Sequence, residues 1–164
     1  MKRLLALLCA CLCVIGIVSG CSASAKEFDT GVGMTMTLPG SFKEQDASQA
    51  NGATAYYLSN TAGVVALKED FSTLENAGLS ADMTLDEYGQ TVIDANSLSV
   101  QLQEADGIKY FVYENSVDSQ DFTYYATVFE GSDAFWLIQF FCETKNYDQL
   151  QSDFLEWAKT VKVS

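Results

Sequence analysis

The chain has 164 residues, with 22 acidic and nine basic side chains for a net charge of −13 and no histidine. That length and a 48% hydrophobic content suffice for the packed core of one ordinary domain. The charge argues against nucleic acid, whose affinity comes from Lys and Arg neutralising phosphates. Lack of histidine removes the usual base near neutral pH and the commonest transition-metal ligand.

The first segment reads as an export signal. Lys2 and Arg3 precede an uncharged apolar run from Leu4 to Val18, and Val18-Ser19-Gly20-Cys21 closes it. This run is shorter than the roughly 20 residues a spanning helix needs. Its end resembles the lipobox of bacterial lipoproteins, in which the cysteine becomes the lipid-bearing first residue. The resemblance implies a signal peptide over 1–20, a lipidated tether over 21–27 and a single domain over 28–164. It also implies an extracytoplasmic address on the cell membrane, held by diacylglycerol on Cys21. The mature part keeps seven lysines against 22 carboxylates, a net charge of −15, with no arginine. Such a domain is repelled by an anionic bilayer. Cys9, Cys11 and Cys13 fall in the signal, so Cys142 has no partner for an intrachain disulfide.

Met34-Thr35-Met36-Thr37-Leu38 alternates with period two, a half-buried strand ended by Pro39-Gly40. Ser41 to Gly52 is polar and turn-rich. Strands are expected over 53–59 and 63–69, and 71–83 is mixed. Thr84-Leu85-Asp86-Glu87 is a capping box. Behind it Leu85, Tyr88, Val92 and Ile93 recur at helical spacing to about Ser97, with Gly89 on the same face to allow a close approach to a sheet. Strands over 98–103 and 108–114 flank Asp106-Gly107, a hairpin signal. Two more, over 122–130 and 135–144, flank Gly131-Ser132-Asp133. Asn146 is placed to cap a last helix with apolar Tyr147, Leu150, Phe154, Trp157 and Val161.

The late strands are apolar on both faces. Trp136, Ile138, Phe140 and Cys142 alternate with Phe135, Leu137 and Phe141; Tyr124, Ala126 and Val128 alternate with Tyr125, Thr127 and Phe129. A sheet bare on one side would alternate apolar with polar. The pattern predicts an α+β three-layer sandwich, a mostly antiparallel sheet of about seven strands with two principal helices.

Met34 to Leu38 followed by Pro39-Gly40-Ser41-Phe42 resembles the opening strand and turn of PsbP-like domains. The later order, with the capped helix at Thr84 and a last helix ending near Ala158 to Val163, is similar too. That family includes an extrinsic photosystem II subunit, a Ran-binding nuclear import factor and bacterial lipoproteins. The resemblance implies the sandwich fold and an accessory or binding role; no family functional residue maps onto a matching motif.

Candidate sites are few. Cys142, beside Trp136, Ile138 and Phe140, reads as a buried hydrophobe. The acidic turns at Glu104 and Asp106, Asp118 and Asp121, and Glu130 and Asp133 lack a calcium-loop pattern. Asp86 and Glu87 suit a helix N-terminus. Phe111, Tyr113, Tyr125, Thr127 and Gln139 mix apolar bodies with polar tips. They form a recognition surface if exposed and core if a helix covers them. No catalytic residue, metal ligand or cofactor motif stands out. The lipobox-like tether, the absence of a motif and the PsbP-like resemblance imply a lipid-anchored binding or accessory protein with a protein or small-ligand partner. A carboxylate-based cell-envelope hydrolase and an assembly factor for secreted proteins are the alternatives.

Overall fold

Antiparallel hairpins generate the central sheet of the computed structural model, which describes residues 24–164. The expected signal segment over 1–20 and Cys21 lie outside the described residues. The strands are β1 (Lys26–Asp29), β2 (Met34–Leu38), β3 (Lys43–Glu44), β4 (Ala55–Leu58) and β5 (Gly63–Asp70), then β6 (Gln103–Ala105), β7 (Ile108–Val117), β8 (Gln120–Glu130), β9 (Ala134–Glu143) and β10 (Lys162–Val163). The helices are α1 (Phe71–Asn76), α2 (Leu85–Ala95) and α3 (Tyr147–Ala158).

A seven-stranded antiparallel sheet runs β3-β4-β5-β9-β8-β7-β6. β9 pairs along its length with β5 and β8, and both its faces are buried because a core lies on each side of the sheet. Phe135, Leu137 and Phe141 enter one core with Tyr88, Val92 and Ile93 of α2. Trp136, Ile138, Phe140 and Cys142 enter the other with Phe154 and Ala158 of α3. This is the expected α+β three-layer sandwich with two principal helices.

The structure departs from the sequence reading at several points. β2 is not in the main sheet; it pairs with β1 and β10 in a separate three-stranded sheet. That small sheet shares the second core with α3 through Met34, Met36 and Leu38. Pairing begins at Lys26↔Leu38, two residues before the expected domain start. The predicted strand over 98–103 shrinks to β6. Leu102 seats instead on Gly89 of α2, where an added Cβ would lie 2.8 Å from its Cδ1. Gly89 thus admits a loop side chain, not the sheet.

The capping box at α2 is present: Thr84 Oγ1 accepts from Glu87 N at 3.3 Å, and Glu87 Oε2 accepts from Thr84 N at 2.8 Å. Asn146 does not cap α3 through its side chain; a 3-10 turn over Thr144–Asn146 leads into the helix instead. Among the described residues no helix is long and apolar enough to cross a membrane.

Candidate binding groove

Of the two outcomes open to Phe111, Tyr113, Tyr125, Thr127 and Gln139, recognition surface or covered core, the structure gives the core. Phe111, Tyr113 and Gln139 lie in or beside the core under α2, while Tyr125 and Thr127 point to the α3 side, and all five are buried. The cause is register. Val117↔Gln120 closes the β7–β8 hairpin, which places Tyr113 opposite Tyr124 and Phe111 opposite Ala126. Tyr113 stacks on Tyr124 at 4.8 Å and 4°, and its hydroxyl donates to Gln139 Oε1 at 2.5 Å. Thr127 Oγ1 donates to the Ile138 carbonyl at 2.9 Å. Tyr113 and Gln139 thus satisfy each other and Thr127 satisfies a backbone carbonyl, as buried polar groups should.

The α3 side of the sheet nevertheless carries a surface that sequence reasoning missed. The even residues of β7 face α3, and α3 does not cover all of them. An open groove of about 600 Å³ runs between α3 and the β6–β7 edge. Tyr110, Val112 and Tyr125 form its floor; Tyr147, Gln151 and Leu155 form its wall on the helix. Tyr110 stacks on Tyr125 at 4.5 Å and 14°, and its hydroxyl donates to Gln103 Oε1 at 3.2 Å. Of the five expected surface residues, only Tyr125 lines this groove. Tyr147 was readable as a helix residue, but that it stands beside Tyr110 depends on how α3 lies across the sheet.

Burial raises the Tyr125 phenol above its ordinary range, helped by nearby Tyr110, Tyr147 and Asp106. Tyr147 is pushed up to about 12 by burial first, then by Tyr110, Cys142 and Asp148. Both therefore stay neutral at physiological pH. Tyr147 offers a ring face and a neutral hydroxyl to a ligand, the buried Tyr125 backs the floor, and neither is a proton-abstracting group.

The other candidate groups are committed elsewhere. Lys109 Nζ bridges Asp86 Oδ1 at 2.8 Å and Glu104 Oε2 at 2.7 Å beside the start of α2, and Glu87 is engaged in the capping box. Hydrogen bonds from Thr84 hold the Glu87 carboxyl below its usual range, the opposite of what a general acid needs. Asp106 pairs with Lys159 at 3.2 Å and Asp133 with Lys68 at 3.1 Å. Asp118 sits at φ 51° in a tight turn. Cys142 is buried on the face expected for it, and that burial, with Glu143 second, pushes its thiol up to about 12.

The fold is similar to that of PsbP-like domains. The solution structure of cyanobacterial PsbP (CyanoP) from Synechocystis sp. PCC 6803 matches with a TM-score of 0.56 at 15% identity, over 92% of this chain and 99% of that one. A crystal structure from Bacteroides thetaiotaomicron VPI-5482 matches with a TM-score of 0.53 at 11% identity over 88% of this chain. The chain spans 49% of that Bacteroides protein. LpqN, involved in cell envelope biogenesis of Mycobacterium tuberculosis, gives a TM-score of 0.47 at 10% identity over 86% of this chain and 91% of that one, too loose a likeness to bear on the fold. No family model and no curated protein matches the chain.

Proposed function

We propose that this protein is a lipid-anchored extracytoplasmic accessory protein that binds a partner and catalyses no reaction. The observation that carries the reading is the run from Lys2-Arg3 through Leu4–Val18 to Val18-Ser19-Gly20-Cys21. Diacylglycerol on the Cys21 thiol supplies two chains, the regime of stable anchoring. Residues 22–25 lie between the anchor and β1. An extended chain reaches at most ~3.6 Å per residue, which keeps the start of the domain within roughly 20 Å of the bilayer. The net charge of −15 holds the domain off anionic lipid rather than flat against it.

Binding rather than catalysis fits the groove beside α3. It offers stacked neutral tyrosines and amide side chains, the furniture of recognition. A carboxylate hydrolase needs two free carboxyls converging on one cleft. The acidic groups gathered beside α2 are instead tied to Lys109 and to the helix cap. The test is Cys21→Ala in intact cells. The variant should leave the washed membrane pellet for the soluble fraction and keep the melting temperature of the parent. Retention in the pellet would refute anchoring through Cys21.

A further inference from the structure

The two hairpins that enclose β7 fix the direction of every backbone group in it. Asp106 and Gly107 have φ of 51° and 80°, and Asp118 and Ser119 have φ of 51° and 67°. Two-residue turns with both φ positive are of the type I′ form, and the pair flanking such a turn exchanges hydrogen bonds. Those pairs are Ala105↔Ile108 and Val117↔Gln120. Even residues of β7 therefore aim N–H and C=O toward β6, and odd residues aim them toward β8. β6 is too short to use them all, since its last pairing is Gln103↔Tyr110. Among the described residues, no strand pairs with β7 on that side beyond Tyr110. The backbone groups of Val112, Glu114 and Ser116 are left on an open edge.

Elsewhere the sheet guards its margin. β3, the opposite edge, is two residues long and carries Lys43. Natural edge strands are kept from pairing by shortness, charged side chains (Lys above all), Pro or bulges, and the one charge between Phe111 and Val117 is Glu114. The stretch from Phe111 to Val117 has no Lys or Pro, and its register with β8 is unbroken. The chain that could have covered it leaves at Leu102 to sit on Gly89. The uncovered stretch from Val112 to Ser116 matches a strand of ordinary length, about five residues. It also borders the groove: the side chains of Tyr110 and Val112 form the floor, so one face of an added strand would lie against Tyr147 and Gln151.

We propose that this edge accepts an extended, basic segment of a partner protein as an eighth strand of the sheet. Main-chain hydrogen bonds to Val112, Glu114 and Ser116 supply the pairing, and the groove takes alternate side chains. Charge selects the occupant. Glu114 and Asp121, on this side of β7–β8, and Asp148 on α3 have no lysine partner among the described residues. A lysine-bearing strand is attracted there, while a second copy of this chain brings its own net charge of −15 and is repelled.

The inference deepens the binding role proposed above and does not depend on the anchor. The edge can fail while Cys21 lipidation stands, and the reverse. The experiment is residue-resolved amide exchange on the full chain in a non-ionic detergent. In the free protein the amides of Val112, Glu114 and Ser116 should exchange fast, while Phe111, Tyr113 and Asn115 are protected by β8. A blocked hexapeptide of alternating lysine and valine should then slow the three even amides by about tenfold or more. Its alternating glutamate–valine counterpart should leave them unchanged, and Glu114→Lys should remove most of the effect of the basic peptide. Protection of the three amides in the free chain would overturn the proposal. So would equal slowing by the two peptides, or no slowing by the basic one.

Discussion

Tyr113→Phe should destabilise this domain although it changes a single oxygen. The ring keeps its stack on Tyr124, and the hydrogen bond to Gln139 Oε1 is lost. Gln139 is 2% exposed, so water cannot replace the missing donor. Leaving a buried acceptor unsatisfied costs ~1–3 kcal/mol. With a urea m-value of about 2 kcal/mol/M, the unfolding midpoint falls by about 0.5–1.5 M. Gln139→Leu removes the acceptor and carries a cost of the same order. The double variant Tyr113→Phe with Gln139→Leu replaces both polar partners by apolar ones, which is close to neutral when the shape is kept. Urea melts of the four proteins should give a coupling energy of at least about 2 kcal/mol, the sum of the two single costs, well outside additivity. If Tyr113→Phe costs less than about 0.5 kcal/mol, or the single costs simply add, the hydroxyl is solvated. The pair would then belong to a surface, and the register argument would fall.

Phe154→Ala should cost ~3–5 kcal/mol and lower Tm by on the order of 10 °C. Its ring is fully buried among Tyr125, Phe140, Tyr147 and Trp157. Trp157→Ala should cost less, because that indole is only half-buried. Thermal melts that reverse this order would mean α3 packs otherwise. Gly63→Ala should lose at least ~1–3 kcal/mol by overpacking: a Cβ there would lie 2.1 Å from Phe141 Cζ and 2.8 Å from Leu58 Cδ2, so a buried ring must move. A neutral result in the same melts would show that β5 and β9 separate easily. Cys142, its thiol pushed up to about 12 by burial, should resist a small alkylating reagent at about pH 8 in the native domain and react on unfolding. Rapid native labelling, read by mass, would place its face in solvent.

Alternation within a strand was readable from the sequence, and pairing between strands was only partly so. Trp136, Ile138, Phe140 and Cys142 fall on one face of β9 as their spacing demands, because that spacing is a property of one segment. The error at Tyr113 and Tyr125 arose at the Asp118-Ser119 turn. Glycine announces a tight hairpin at Asp106-Gly107, but here two non-glycine residues adopt positive φ. With the turn unrecognised, Tyr113 is grouped with Tyr125, whereas the register pairs it with Tyr124 and sets the two on opposite faces. The small sheet was hidden for another reason. β10 pairs with β2 through contacts across most of the chain length, and Lys162-Val163 carries no local sign of it. The loss of the expected strand at 98–102 depends on Leu102 finding the bare backbone of Gly89, a tertiary event. The groove follows from these long-range placements. Tyr110, Val112 and Tyr147 were visible as residues, but not as neighbours.

The central claim is that Cys21 begins the mature chain and carries the lipid. The most direct test is the mass of the N-terminal peptide released from the protein purified from its own membranes. The account predicts a peptide starting at Cys21 with the added mass of a thioether-linked diacylglycerol. A peptide that includes residues 1–20, or one with Cys21 unmodified, would contradict it.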